Sequence, residues 1–133
     1  MPTQTAAAIR LTSNIPLQRI SDLLCSAFEG GSNYWYRIAR YQVPATYTFR
    51  TDPKQLYKHL DVPLNVGGVV FIEDREGGDG KTYELSLTSI QEGLAVMARD
   101  FPRHYADFLG ENDDAETGDV FLQCCLFGDV VYG

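Results

Sequence analysis

The chain has 133 residues, 44% of them hydrophobic and 22% charged, and a formal net charge of -7 that is unevenly divided: residues 1–66 hold seven Lys/Arg against four Asp/Glu, whereas residues 67–133 hold four against fourteen. These values exclude a disordered or fibrous chain and describe one globular domain, 1–133, able to bury its own core. They also argue against direct nucleic-acid binding, which needs clustered cations. No apolar run reaches the roughly 18–20 residues of a membrane-spanning helix, and residues 1–8 read as a loose tail rather than a secretory signal, so a cytoplasmic protein is expected.

In chain order, residues 1–13 read as either a short edge strand or a tail. Asn14 is a candidate cap for a helix with Pro16 in its first turn, and Leu17, Ile20, Leu24, Ala27 and Phe28 trace an apolar stripe that ends at Gly30 and Gly31. The aromatic-rich residues 32–41 read as a strand. Prolines break the next segment, where a strand over 46–49 and a short helix over 52–60 fit best. Residues 69–72 form a continuous apolar run, and residues 81–87 alternate with Tyr83, Leu85 and Leu87 on one face. Together they predict a hairpin closed by the Gly77–Gly80 turn.

Thr88 and Gln91 match a capping box before a stripe of Ile90, Leu94, Met97, Ala98 and Phe101. Residues 102–109 predict a further helical turn, stopped by Gly110. Residues 111–119 are acidic without a cation, and residues 120–127 are almost wholly apolar. A buried helix from about Asp114 to Gly128 is expected, because acidic side chains suit the positive end of a helix, and a strand pair over the same residues is the alternative. The pattern as a whole predicts an α+β domain, a small antiparallel sheet packed by two or three helices.

Few residues suggest chemistry. His59 and His104 belong to no metal-binding or zinc-protease spacing, no Gly-x-Ser-x-Gly elbow is present, and Cys25, Cys124 and Cys125 sit in apolar surroundings as free core thiols. The glycine turns lack the lysine of a phosphate cradle. The 112–119 stretch is short of a calcium loop, its glycine falling one place late and no glutamate standing at the twelfth position. No catalytic residue, cofactor or metal is therefore expected. Two features point to a partner. Asp107, Glu111, Asp113, Asp114, Glu116 and Asp119 form a carboxylate row suited to a basic protein surface, and Tyr34, Trp35 and Tyr36, beside Arg37 and Arg40, form an aromatic patch.

The segments CSAFEGGSNYW (25–35) and ENDDAETGDVFLQCCLFGDVVYG (111–133) resemble small uncharacterised proteins of bacteriophages and prophages. The order of helix, Gly-Gly-x-x-Tyr-Trp strand, Gly-Gly-led apolar strand, second hairpin strand and helix is similar to that of ArdB-type antirestriction proteins, from which the chain departs in length and in its acidic segment. The resemblance implies a phage or mobile-element protein that interferes with a host defence system by binding. Alternatives are a divalent-metal hydrolase or nuclease using Asp107, Glu111, Asp113 or Asp114, and a virion-associated subunit that forms a homo-oligomer through residues 34–36.

Overall fold

Helix α1, Leu17–Ser26, begins after Pro16, whose extended backbone makes it the N-cap, so the expected cap Asn14 stands two residues outside. Ile20, Leu23 and Leu24 are its buried stripe. The last turn widens into a π-turn, Ala27–Gly31, which closes where expected. Gly31 is required there by packing: a Cβ would lie 2.0 Å from the carbonyl oxygen of Ala115. The computed structural model describes residues 14–45, 47 and 58–133. Residues 1–13, all but residue 47 of the strand expected over 46–49, and residues 52–57 of the helix expected over 52–60 lie outside these residues; residues 58–60 of that helix are described, within α2, Lys58–Asp61, which the 3-10 turn Val62–Leu64 follows.

Strand β1, Tyr36–Gln42, starts later than the expected residue 32, because residues 32–35 are used in a turn closed by the Trp35 amide on the Ser32 carbonyl at 3.1 Å. Strands β2, Val69–Asp74, and β3, Thr82–Leu85, follow, and the sheet is antiparallel in the order β1-β2-β3. Ile38 pairs with Ile72 and Tyr41 with Val70, while Tyr83 and Leu85 face the same two β2 residues from the other side. Val70, Ile72 and Leu85 are fully buried on this inner face. On the outer face Arg37 pairs with Glu73, and the Arg40 guanidinium lies 3.7 Å from the Phe71 ring centroid.

Helix α3, Leu87–Asp100, corrects two expectations. Leu87 belongs to the helix rather than to the strand, and the capping box is Ser86 with Ser89 instead of Thr88 with Gln91. Buried Leu85 ends the hairpin, so the chain turns at the first hydroxyl after it, Ser86. Helix α4, Pro102–Leu109, is where the sequence predicts it.

Helix α5, Ala115–Phe127, is the helix that the acidic residues at its start favour, and no strand pair forms over it. Every residue from 117 to 125 is buried, so the helix is enclosed on all sides and forms the centre of the fold, with Asp119 and Gln123 as polar residues inside it. Each of its large side chains, such as Phe121 and Leu122, contributes about 1.5–3 kcal/mol by leaving water. Helix α3, α1 with its π-turn, and β3 all pack against α5. The fold is α+β, with three helices of ten residues or more and two shorter ones among the described residues.

Candidate functional site

The acidic segment joins α4 to α5, and its backbone is tightly specified. The Asn112 amide donates to the Asp107 carbonyl at 2.8 Å and the Glu111 amide to the Phe108 carbonyl at 3.2 Å, the paired bonds of a Schellman motif. That motif needs a left-handed residue just past the helix, and the residue there is Glu111, at φ 59°, not the neighbouring Gly110. Glu111 is the only non-glycine with positive φ among the described residues.

Arg19 of α1 locks the loop from below. Its guanidinium donates to the Phe108 carbonyl at 2.5 Å and to Asp113 Oδ1 at 2.9 Å, and it lies 4.8 Å from the Phe108 ring centroid. Asp114 caps α5, accepting from the Thr117 amide at 3.0 Å and from the Thr117 hydroxyl at 3.2 Å. The Thr117 amide bond, the main cause, holds the Asp114 carboxyl below its ordinary value.

These contacts divide the six carboxylates. Glu111, Asp114 and Glu116 are exposed and Asp107 is half-buried, while Asp113 is neutralised by Arg19. Asp119 faces inward. It is 8% exposed and accepts from the Ser32 hydroxyl and the Trp35 indole, each at 2.7 Å, and from the Tyr34 hydroxyl at 3.0 Å. No single outward row of six exists. The outward part is the loop and the first turn of α5.

The aromatic trio is likewise divided. Trp35 is 0% exposed and a core residue. Tyr36 is half-buried, its hydroxyl donating to the Phe28 carbonyl at 2.8 Å, and Tyr34 is 47% exposed. Burial, followed by the Asp119 carboxylate, pushes the Tyr34 hydroxyl up to about 12. The glycine-led turn at 30–35 thus serves to place three donors around Asp119.

A cleft of 270 Å³ borders the loop, lined by Ile15, Arg19, Phe108, Leu109 and Glu111. A second, of 380 Å³, lies between α1 and α3 and shares Ile15 with the first. Exposed Leu17 and Leu109, 40% and 50% exposed, stand beside them. The acidic loop therefore rims an apolar surface. Sequence reasoning missed Arg19, since one arginine beside an apolar helical stripe does not reveal a partner 94 positions away.

His104 Nδ1 lies 3.2 Å from the Thr117 hydroxyl, which in turn meets Asp114. The Thr117 hydroxyl donates to the Asp114 carboxylate and is itself buried. Burial lowers the His59 pKa, and its ring packs 5.1 Å from that of Phe28. All three cysteines are free, and burial raises each thiol, Cys124 to about 12. Among the described residues, no group of three or more His, Cys, Asp or Glu side chains is placed to hold a metal ion. No helix among them is long and apolar enough to cross a membrane.

Fold and site together define an α+β domain bearing a rigidly held acidic loop beside an apolar cleft. No protein-family model, curated protein or solved structure matches the chain.

Proposed function

We propose that this is a non-enzymatic binding protein of phage or mobile-element origin, whose α4–α5 loop engages a basic surface on a host protein such as a nuclease or defence effector. The observation that carries the reading is Glu111. A left-handed backbone costs a side-chain-bearing residue about 1–2 kcal/mol, and glycine would relieve it. A carboxylate at such a position, on a loop fixed by Arg19 and Asp114, suits a pre-organised binding surface. Leu109, the adjoining cleft and the exposed Glu111, Asp114 and Glu116 suit a partner that offers cations around an apolar contact.

The test is affinity capture from host lysate by immobilised wild type, by Glu111→Gly, and by the double variant Glu111→Lys, Glu116→Lys. The expected result is a basic protein held by wild type, released as salt rises well above physiological strength, where screening shortens to below about 8 Å, and lost from both variants while they remain folded. Capture that is indifferent to salt and to both variants overturns the reading.

A further inference from the structure

Residues 129–133 run back across the body of the protein without helix or strand, and what holds them has the chemistry of a peptide receptor. Gln123, fully buried on α5, turns its carboxamide to their backbone. Its Oε1 accepts from the Val131 and Tyr132 amides at 2.8 and 2.9 Å, and its Nε2 donates to the Tyr132 carbonyl at 3.1 Å.

The Tyr132 side chain is read separately. Its hydroxyl donates to Asp74 Oδ2 at 2.6 Å, at the end of β2, and its ring lies 6.0 Å from Trp35, 6.1 Å from Phe127 and 6.5 Å from Tyr34. Asp74 is itself 8% exposed and held in place by the Glu76 and Gly77 amides on its other oxygen. Val131, by contrast, points away and is 59% exposed. The cleft therefore reads backbone at two residues and a side chain at one, and every reading group belongs to the body of the fold.

We propose that this cleft is a recognition site for an extended, tyrosine-bearing peptide of a partner protein, occupied in this structure by the chain's own Val131-Tyr132-Gly133. None of the polar contacts depends on the covalent link through Gly128, so a segment of like chemistry in trans makes the same bonds once the intramolecular one yields. The site also sets its own selectivity. Phenylalanine leaves Asp74 without the hydroxyl, and phosphotyrosine drives a phosphate against the Asp74 carboxylate, with Glu76 nearby. The site is separate from the acidic loop, and it stands or falls apart from that reading.

The experiment titrates the peptides Asp-Val-Val-Tyr-Gly, its phenylalanine analogue and its phosphotyrosine analogue into full-length wild type and full-length Tyr132→Ala. Trp35, the single tryptophan, reports by fluorescence. An intramolecular segment competes at an effective concentration of about millimolar, so the tyrosine peptide is expected to bind Tyr132→Ala at least tenfold more tightly than wild type. The two analogues are expected to bind the variant at least tenfold more weakly than the tyrosine peptide. If Tyr132→Ala loses its native circular dichroism, Tyr132→Phe, which keeps the ring and drops only the hydroxyl, takes its place and is expected to bind the peptide more tightly than wild type. Equal affinity for wild type and variant, absence of binding to a folded variant, or indifference among the three peptides overturns the proposal. So does concentration-dependent dimerisation of wild type that Tyr132→Ala abolishes, because it assigns the cleft to a second copy of the chain.

Discussion

Glu111 and Asp114 stand three residues apart on one loop and act oppositely on stability. Glu111 holds a left-handed backbone that glycine adopts freely, so Glu111→Gly is expected to raise the unfolding free energy by about 1 kcal/mol, read as a higher urea midpoint at unchanged slope. Asp114 satisfies the first turn of α5, and Asp114→Ala is expected to cost about 1 kcal/mol. Because hydrogen bonding holds the folded Asp114 carboxyl below its unfolded value, its contribution is complete above the unfolded pKa of about 3.9 and is lost as pH falls through the folded one. The difference between wild type and Asp114→Ala, measured by denaturation, should therefore shrink below about pH 4. Asp119 carries more. Asp119→Ala leaves the Ser32, Tyr34 and Trp35 donors without their acceptor and is expected to cost about 3 kcal/mol. A loss below about 0.5 kcal/mol would show that water replaces the carboxylate.

At the scale of elements, α5 depends on close approach by its neighbours. A Cβ on Gly93 of α3 would lie 2.7 Å from the Cys125 Cα, and one on Gly118 would lie 2.7 Å from the Ala27 amide nitrogen. Alanine improves helix propensity by about 1 kcal/mol at either position, so an exposed glycine would be stabilised by the exchange. Here overpacking against backbone outweighs it, and Gly93→Ala and Gly118→Ala are each expected to lower stability by a net 1–2 kcal/mol, read by thermal melting. A rise in melting temperature in either variant would mean that the helices can move apart. The helix over 115–127 was legible because acidic residues suited to a helix N-terminus precede the apolar run, although the run itself also fits strands. The α3 cap was less legible, since Ser86-Ser89 and Thr88-Gln91 have the same spacing and only the end of β3 at Leu85 chooses between them.

For the molecule as a whole, the division of charge along the chain is offset in space at two points among the described residues. Arg19 and Arg37, from the positively charged first half, pair with Asp113 and Glu73 of the acidic half. The Arg19 contact ties α1 to the α4–α5 loop and also satisfies the Phe108 carbonyl, so Arg19→Ala is expected to cost about 1–3 kcal/mol and to loosen the loop, read by faster amide exchange at Glu111 and Asn112. Unchanged exchange would mean that the Schellman bonds alone hold the loop.

By itself the amino-acid sequence determined the α+β class, the hairpin, the apolar helix around Phe121 and Leu122 and the acidic character of the second half, because periodicity, capping and net charge are local or additive properties. Which carboxylates face water was decided only by tertiary structure. Asp119 turns inward because the 30–35 turn brings three donors to it, and Asp113 is neutralised by an arginine 94 residues away. The partnership of Gln123, Asp74 and Tyr132 was equally hidden, since it joins an apolar helix, a strand end and the last residues of the chain. Such contacts depend on where separate segments meet, a property that no local window of sequence contains.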